Sequence, residues 1–179
     1  IAKRLIECAM ALVGALPGGL ALVNVLSCML FGAISGSAVA ATSAIGSFML
    51  PEMKKQGYDD SYSAAVTAAA ATTGMLIPPS NIMIVYAIAS GGVSIAALFV
   101  AGYLPGILLG IALMIVCAGY ARVKGYPVGA RLPFKVVAEK IAAAIPSLLM
   151  IVLVIGGIIS GAFTATEAGA IAVVYSFVL

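Results

Sequence analysis

Two clusters of hydroxyls, glycines and prolines interrupt otherwise apolar sequence. The first is Gly32-Ala33-Ile34-Ser35-Gly36-Ser37, and the second runs from Thr72-Thr73-Gly74 through Pro78-Pro79-Ser80-Asn81. Their chemistry is that of uncharged oxygen. Ser35 and Ser37 offer two hydroxyls and a run of carbonyls; the second cluster offers Thr72, Thr73, the Gly74 carbonyl, Ser80 and Asn81. A hard cation such as Na⁺ is held by such ligands without a charged side chain. Carbonyl ends of half-helices carry negative dipole character, and the opposing N-termini suit a carboxylate. The bland alternatives are serine hydroxyls bonded to the preceding turn and a simple proline kink. Asn81 is costly at membrane depth unless it has a task.

Other chemistries are poorly supplied. The chain has no histidine, and no pair of acids clusters inside an apolar segment. That removes the usual metal ligands and general bases and argues against a membrane enzyme. Cys8, Cys28 and Cys117 are scattered, without C-x-x-C spacing, and read as small apolar packers. No nucleic-acid-binding pattern is present.

The elements that must position these oxygens are membrane helices. Of 179 residues, 64% are hydrophobic and 8% charged, far from the roughly half apolar and quarter charged of a soluble domain. The expected fold is an all-α polytopic membrane protein in the lipid bilayer. Ile1 is not an initiator methionine and Leu179 falls inside an apolar run, so a piece of a longer polypeptide is expected. Residues 1–17 read as an interfacial or arm helix, closed by Pro17-Gly18-Gly19. Residues 18–53 are too long for one span and too short for two, which fits a re-entrant hairpin better than one long tilted helix. A surface loop runs from Pro51 to Asp60, with Asp60 or Ser61 as the next N-cap. Residues 61–89 form a transmembrane helix broken at Gly74 to Pro79, its second half capped by Ser80. Ser94 caps a full span over 94–121, residues 122–140 hold a basic segment with an amphipathic arm from Phe134, and 141–162 span again. Thr164-Ala165-Thr166-Glu167 is a capping box that starts a helix over 164–179. With the hairpin re-entrant, all nine basic residues and the hairpin entrance face one compartment, the cytoplasm by the positive-inside rule.

Gly18-Gly19-Leu20-Ala21-Leu22-Val23-Asn24-Val25, Phe31 to Ala38, Ile45-Gly46, Pro51-Glu52-Met53 and Gly57-Tyr58 resemble the large membrane (permease) subunit of tripartite ATP-independent periplasmic (TRAP) transporters. Ile77-Pro78-Pro79-Ser80, Ser94-Ile95 through Gly102, Pro105-Gly106 and Phe163-Thr164-Ala165-Thr166-Glu167-Ala168 continue the match in order. The resemblance implies one half of an inverted-repeat, elevator-type ion transporter, here a first-repeat fragment. It implies import of an organic acid (a C4-dicarboxylate, sialic acid or a sugar acid) across the bacterial inner membrane, with Na⁺ as coupling ion and no cofactor. Its partners would be a small membrane subunit and a periplasmic substrate-binding protein. By position, Ser35, Gly36, Ser37, Thr73 and Gly74 would bind sodium, and Ser37, Pro79, Ser80 and Asn81 the substrate. Met75 departs from the small or β-branched residue usual after the second-break glycine. The alternative is a stand-alone sodium-coupled dicarboxylate symporter of related hairpin architecture.

Overall fold

The computed structural model describes residues 1–178, all of whose regular structure is helical: α1 (Ala2–Val13), α2 (Gly19–Ser35), α3 (Ala38–Lys55), α4 (Asp60–Leu76), α5 (Asn81–Ala89), α6 (Ile95–Lys124), α7 (Phe134–Ile159) and α8 (Ala165–Val178). Leu179, the end of the expected last helix, lies outside the described residues. α6 and α7 are long and apolar enough to cross a membrane. α4 and α5 together also qualify, as a pair bent by 51° at their break.

α2 is the axis of the fold. Leu20 to Val25 are buried without interruption, so this helix is apolar all round because it is covered all round. α1, α3, α4 and α6 surround it, sharing a core that includes Ala9, Ile45, Met49, Val66 and Cys117. The three cysteines are free thiols within that packing. α2 and α3 run antiparallel: Gly36 and Ser37 turn the chain, and Asn24 near the start of α2 lies 3.7 Å from Met53 near the end of α3.

Local chemistry sets the helix ends, with some differences from the sequence reading. Asp59, rather than Asp60 or Ser61, caps α4, its Oδ1 accepting the Tyr62 N–H at 3.0 Å. Asp60 instead sits inside the first turn and pairs with Lys54 at 2.6 Å. Ser94 caps α6 and the Thr164–Glu167 capping box closes α8 in both directions. α3 runs through Pro51 to Lys55, where a loop is predicted from Pro51. The proline costs one ladder hydrogen bond, but continuing the helix buries Met53 completely against α2. The arm predicted from Phe134 and the span predicted from Ile141 are one helix, α7, with Pro146 inside it. Lys140 on that helix bonds Glu7 of α1 at 2.7 Å, tying its first turns down. At the same end of the bundle Tyr58 stacks on Tyr126 (4.2 Å between centroids) and Tyr62 on Tyr120 (4.5 Å). These rings fasten the α3–α4 turn to the end of α6.

Candidate functional site

The α2–α3 hairpin and the broken α4–α5 element meet at two levels. At the lower one, α2 and α4 cross at Gly32 and Gly74. A Cβ on either glycine would collide with the Cα of the other, so the two backbones touch and no other residue fits. Lower still on the same interface, the buried Asn24 donates from Nδ2 to Thr67 Oγ1 at 2.7 Å. The Thr67 hydroxyl in turn donates to the Ser63 carbonyl at 2.7 Å, and Asn24 Oδ1 accepts from Cys28 Sγ at 3.6 Å. This is a polar network in an apolar interface in which Asn24, Thr67 and Cys28 each have a partner, while the buried Ser27 on the same stretch of α2 has none.

The upper meeting is the hairpin tip against the break. Gly36 takes the left-handed conformation (φ +61°), which reverses the chain between α2 and α3. A side-chain carbon there would sit 3.0 Å from the Asn81 N and 3.2 Å from the Pro79 O, so the tip lies directly on the break. Pro78–Pro79 is a cis peptide. In an unbroken helix the carbonyls of Gly74 and Met75 would accept from residues 78 and 79. Both are prolines and have no N–H to give. Ile77 N takes the Thr73 carbonyl at 3.1 Å, the last bond of α4. The ends of four helices therefore converge here: the C-termini of α2 and α4 and the N-termini of α3 and α5. Their dipoles place negative and positive character side by side without one charged side chain.

The hydroxyls divide by what they already do. Ser37 caps α3, its Oγ accepting the Ala40 N–H at 3.3 Å. Ser35 Oγ accepts the Ser37 N–H at 3.4 Å and donates to the Ser37 carbonyl at the same distance. Thr73 donates to the Ala70 carbonyl at 2.6 Å and exposed Thr72 to that of Ala69 at 2.7 Å. A hydroxyl that donates to a carbonyl keeps lone pairs for a cation, so such bonds leave Thr73 able to ligate. Ser80 differs. It occupies the N-cap position of α5 yet makes no capping bond, contrary to the sequence expectation. It is fully buried and its Oγ has no partner.

Beside the tip–break junction lies a cavity of about 180 Å³. Ser35, Gly36, Pro79 and Asn81 form its polar side; Phe99 of α6, Met150 and Val154 of α7, and Ala168 and Gly169 of α8 form the apolar one. No charged residue lines it. The structure thus gathers four of the sequence-predicted residues around one space. Ser37 stands behind the tip as a cap, Thr73 and Gly74 lie at the crossing below, and Ser80 is buried in the break; none of these four lines the cavity. The wall from α7 and α8 was not foreseen. Its one sequence signal is Ala165, Ala168, Gly169 and Ala172, small residues spaced to share a helix face. Asn24 was likewise missed as a structural tie, although a lone amide in an apolar run signals a bonded partner.

Comparison with known proteins adds an independent finding. The family model described as "Tripartite ATP-independent periplasmic transporter, DctM component" matches residues 1–179. An uncharacterized protein of Salmonella typhimurium, YgiK, is 55% identical over 179 residues, covering 100% of this chain and 41% of that protein. The C4-dicarboxylate TRAP transporter large permease protein DctM of Pseudomonas aeruginosa is 47% identical over 176 residues, covering 98% of this chain and 41% of its own length. The sialic acid TRAP transporter large permease protein SiaM of Vibrio cholerae is 37% identical over 179 residues, covering 100% and 42%. The chain spans about two fifths of the length of these relatives.

Proposed function

The chain belongs to the DctM-component family of tripartite ATP-independent periplasmic transporters, and on that premise we propose that it is part of the large permease of a sodium-driven organic-acid importer. Transport rather than catalysis is its business. The observation that carries the proposal is the contact of Gly36 with Pro79 and Asn81 beside an uncharged, oxygen-edged cavity. In this reading the α2–α3 hairpin is re-entrant, the bent α4–α5 pair crosses the membrane, and the whole is one repeat of an elevator-type fold of the bacterial inner membrane. The basic loops and the hairpin entrance face the cytoplasm.

Sodium is a transported ligand here. Ser35, Gly36, Ser37, Thr73 and Gly74 supply its oxygens, through hydroxyl lone pairs and the carbonyls freed at the ends of α2 and α4. The organic acid lies toward Ser37, Pro79, Ser80 and Asn81, where the N-terminus of α5 favours a carboxylate. A sodium ion between tip and break draws the two together and adds the positive charge that the apolar wall lacks. Binding of ion and acid is then reciprocally coupled. A periplasmic binding protein delivers the substrate and a small membrane subunit pairs with the large one.

The test is uptake of labelled C4-dicarboxylates and sialic acid into proteoliposomes holding the complete permease, its small subunit and its binding protein. Uptake that needs both an inward Na⁺ gradient and the binding protein is expected. Uptake with Na⁺ alone would refute delivery by a binding protein, and uptake indifferent to Na⁺ would refute the coupling. In the same assay Ser37→Ala raises the sodium half-saturation severalfold while lowering assembly less, because the lost α3 cap costs only about 1 kcal/mol. An unchanged half-saturation removes Ser37 from the ion site.

A further inference from the structure

The break between α4 and α5 is held from two sides. The hairpin tip presses on it at Gly36; on the opposite side it rests against α6. A Cβ on Gly106 would lie 2.7 Å from Ile77 Cγ1, 3.3 Å from the Ile77 N and 3.3 Å from the Leu76 carbonyl carbon. Ile77 is the buried residue immediately before the two prolines, and its N–H makes the last hydrogen bond of α4. Two residues on, the Pro79 carbonyl faces Gly36, and next to it is Ser80, whose buried hydroxyl waits without a partner. The segment Ile77–Asn81 thus lies between two glycines, Gly36 at the hairpin tip and Gly106 on α6, neither of which puts a side chain of its own against the break.

We propose that Gly106 is a positioning residue for the site: its notch in α6 seats Ile77 and so fixes where Pro79, Ser80 and Asn81 stand relative to the hairpin tip. Of its α6 neighbours, Gly110 acts more weakly, whereas Gly102 presses on the end of α4 beside the same seat, a Cβ there lying 2.7 Å from the Leu76 carbonyl oxygen. Gly110 faces the flexible end of Met29, and Gly102 faces Met83 together with the Leu76 carbonyl. A methionine side chain swings away from an added methyl group; the β-branched Ile77 side chain, whose Cγ1 lies nearest Gly106, is stiff at χ1 and does not. Gly106 touches neither ion nor substrate. It acts through the break, and the inference rests on the sodium reading given above.

The experiment compares Gly106→Ala, Ile77→Ala and the double variant in the reconstituted complete transporter, with Gly119→Ala, which meets open space on the same helix, as control. Sodium half-saturation, thermal stability and membrane expression are read together. In Gly106→Ala the sodium half-saturation rises about tenfold, the usual penalty of overpacking a fitted contact. In the double variant, which removes the Ile77 carbon nearest the new methyl group, it returns to within about threefold of the parent. A purely structural role would lower stability and maximal uptake with the half-saturation unchanged, and that result overturns the proposal. If Gly106→Ala does not reach the membrane, Ile77→Ala carries the test: emptying the seat raises the half-saturation, and no change there overturns it. Absence of sodium-dependent uptake in the parent transporter would instead refute the function itself, so the two failures are distinguishable.

Discussion

Where Gly32 meets Gly74, the α2 and α4 backbones touch, and farther down the same interface Asn24 donates to Thr67. One turn farther along, Gly36 meets Pro79 and Asn81 less tightly, an added Cβ lying 3.0 Å from the nearest atom rather than colliding as at the crossing, beside a cavity and next to a buried serine hydroxyl that bonds to nothing. The same pair of elements makes a sealed contact and an unfinished one. Buried polar groups without partners are rare because each costs about 1–3 kcal/mol. Ser80 is one of five such hydroxyls among the described residues, Ser27 on α2 being another; what sets it apart is its place in the break, next to the converging helix ends and the cavity. The sealed crossing is what lets the unfinished junction keep its shape meanwhile.

The comparison breaks most easily at the crossing. Gly32→Ala puts a methyl group into the backbone of Gly74, with no side chain able to yield. The expected loss is about 3 kcal/mol or more, the upper range for overpacking. It is read as loss of folded, monodisperse permease in detergent and a lowered thermal midpoint. A variant as stable as the parent would mean that the crossing is slack, and the contrast between the two levels would fall with it.

Asn24→Ala comes next. It deletes the donor to Thr67 and the acceptor of the Cys28 thiol, both fully buried. Interhelical hydrogen bonds in membranes are worth about 0.6–2 kcal/mol, so thermal stability falls modestly. Sodium half-saturation stays at the parent value, because the amide lies on the sealed side, away from the cavity. A sodium effect as large as the stability effect would show that the two levels are not separate.

What was legible in the sequence follows the same division between local and distant causes. The turn after Ser35 could be read because glycine's left-handed conformation is a property of one residue; the break was expected from Gly74, but α4 runs on to Leu76, since the missing N–H groups begin only at Pro78. The capping box at Thr164 and the Ser94 cap are equally local. Pro51 misled because burial of Met53, a tertiary gain, outweighs one lost hydrogen bond. The choice of Asp59 over Asp60 as cap turned on a one-residue difference in chain path that pairs Asp60 with Lys54. Phe99, Met150 and Val154 were invisible as cavity wall, since an apolar residue in an apolar helix carries no mark of which neighbour it faces. The glycines facing one another at 32 and 74 were each visible; that they face one another was not.

The smallest change sharpens the comparison furthest, because its two effects have opposite signs. Ser80→Ala removes a buried hydroxyl that makes no bond and leaves a methyl group of nearly the same size in a fully enclosed place. With the binding site empty, the variant is as stable as the parent or more so, by up to about 1 kcal/mol, since an unmet desolvation cost disappears. If the organic acid draws on this hydroxyl, as proposed, the variant lacks that hydrogen bond, and the half-saturation for the acid rises about tenfold. Losing the Asn24–Thr67 bond below the crossing lowers stability without touching the affinity for the acid, so that substitution cannot produce this pairing. Thermal midpoints with and without substrate, taken on the complete transporter, read both effects at once: the ligand-induced upward shift shrinks while the ligand-free midpoint holds or climbs. A fall in the ligand-free midpoint would mean that Ser80 already has a partner, and the break would then be another satisfied contact like the one at Gly32.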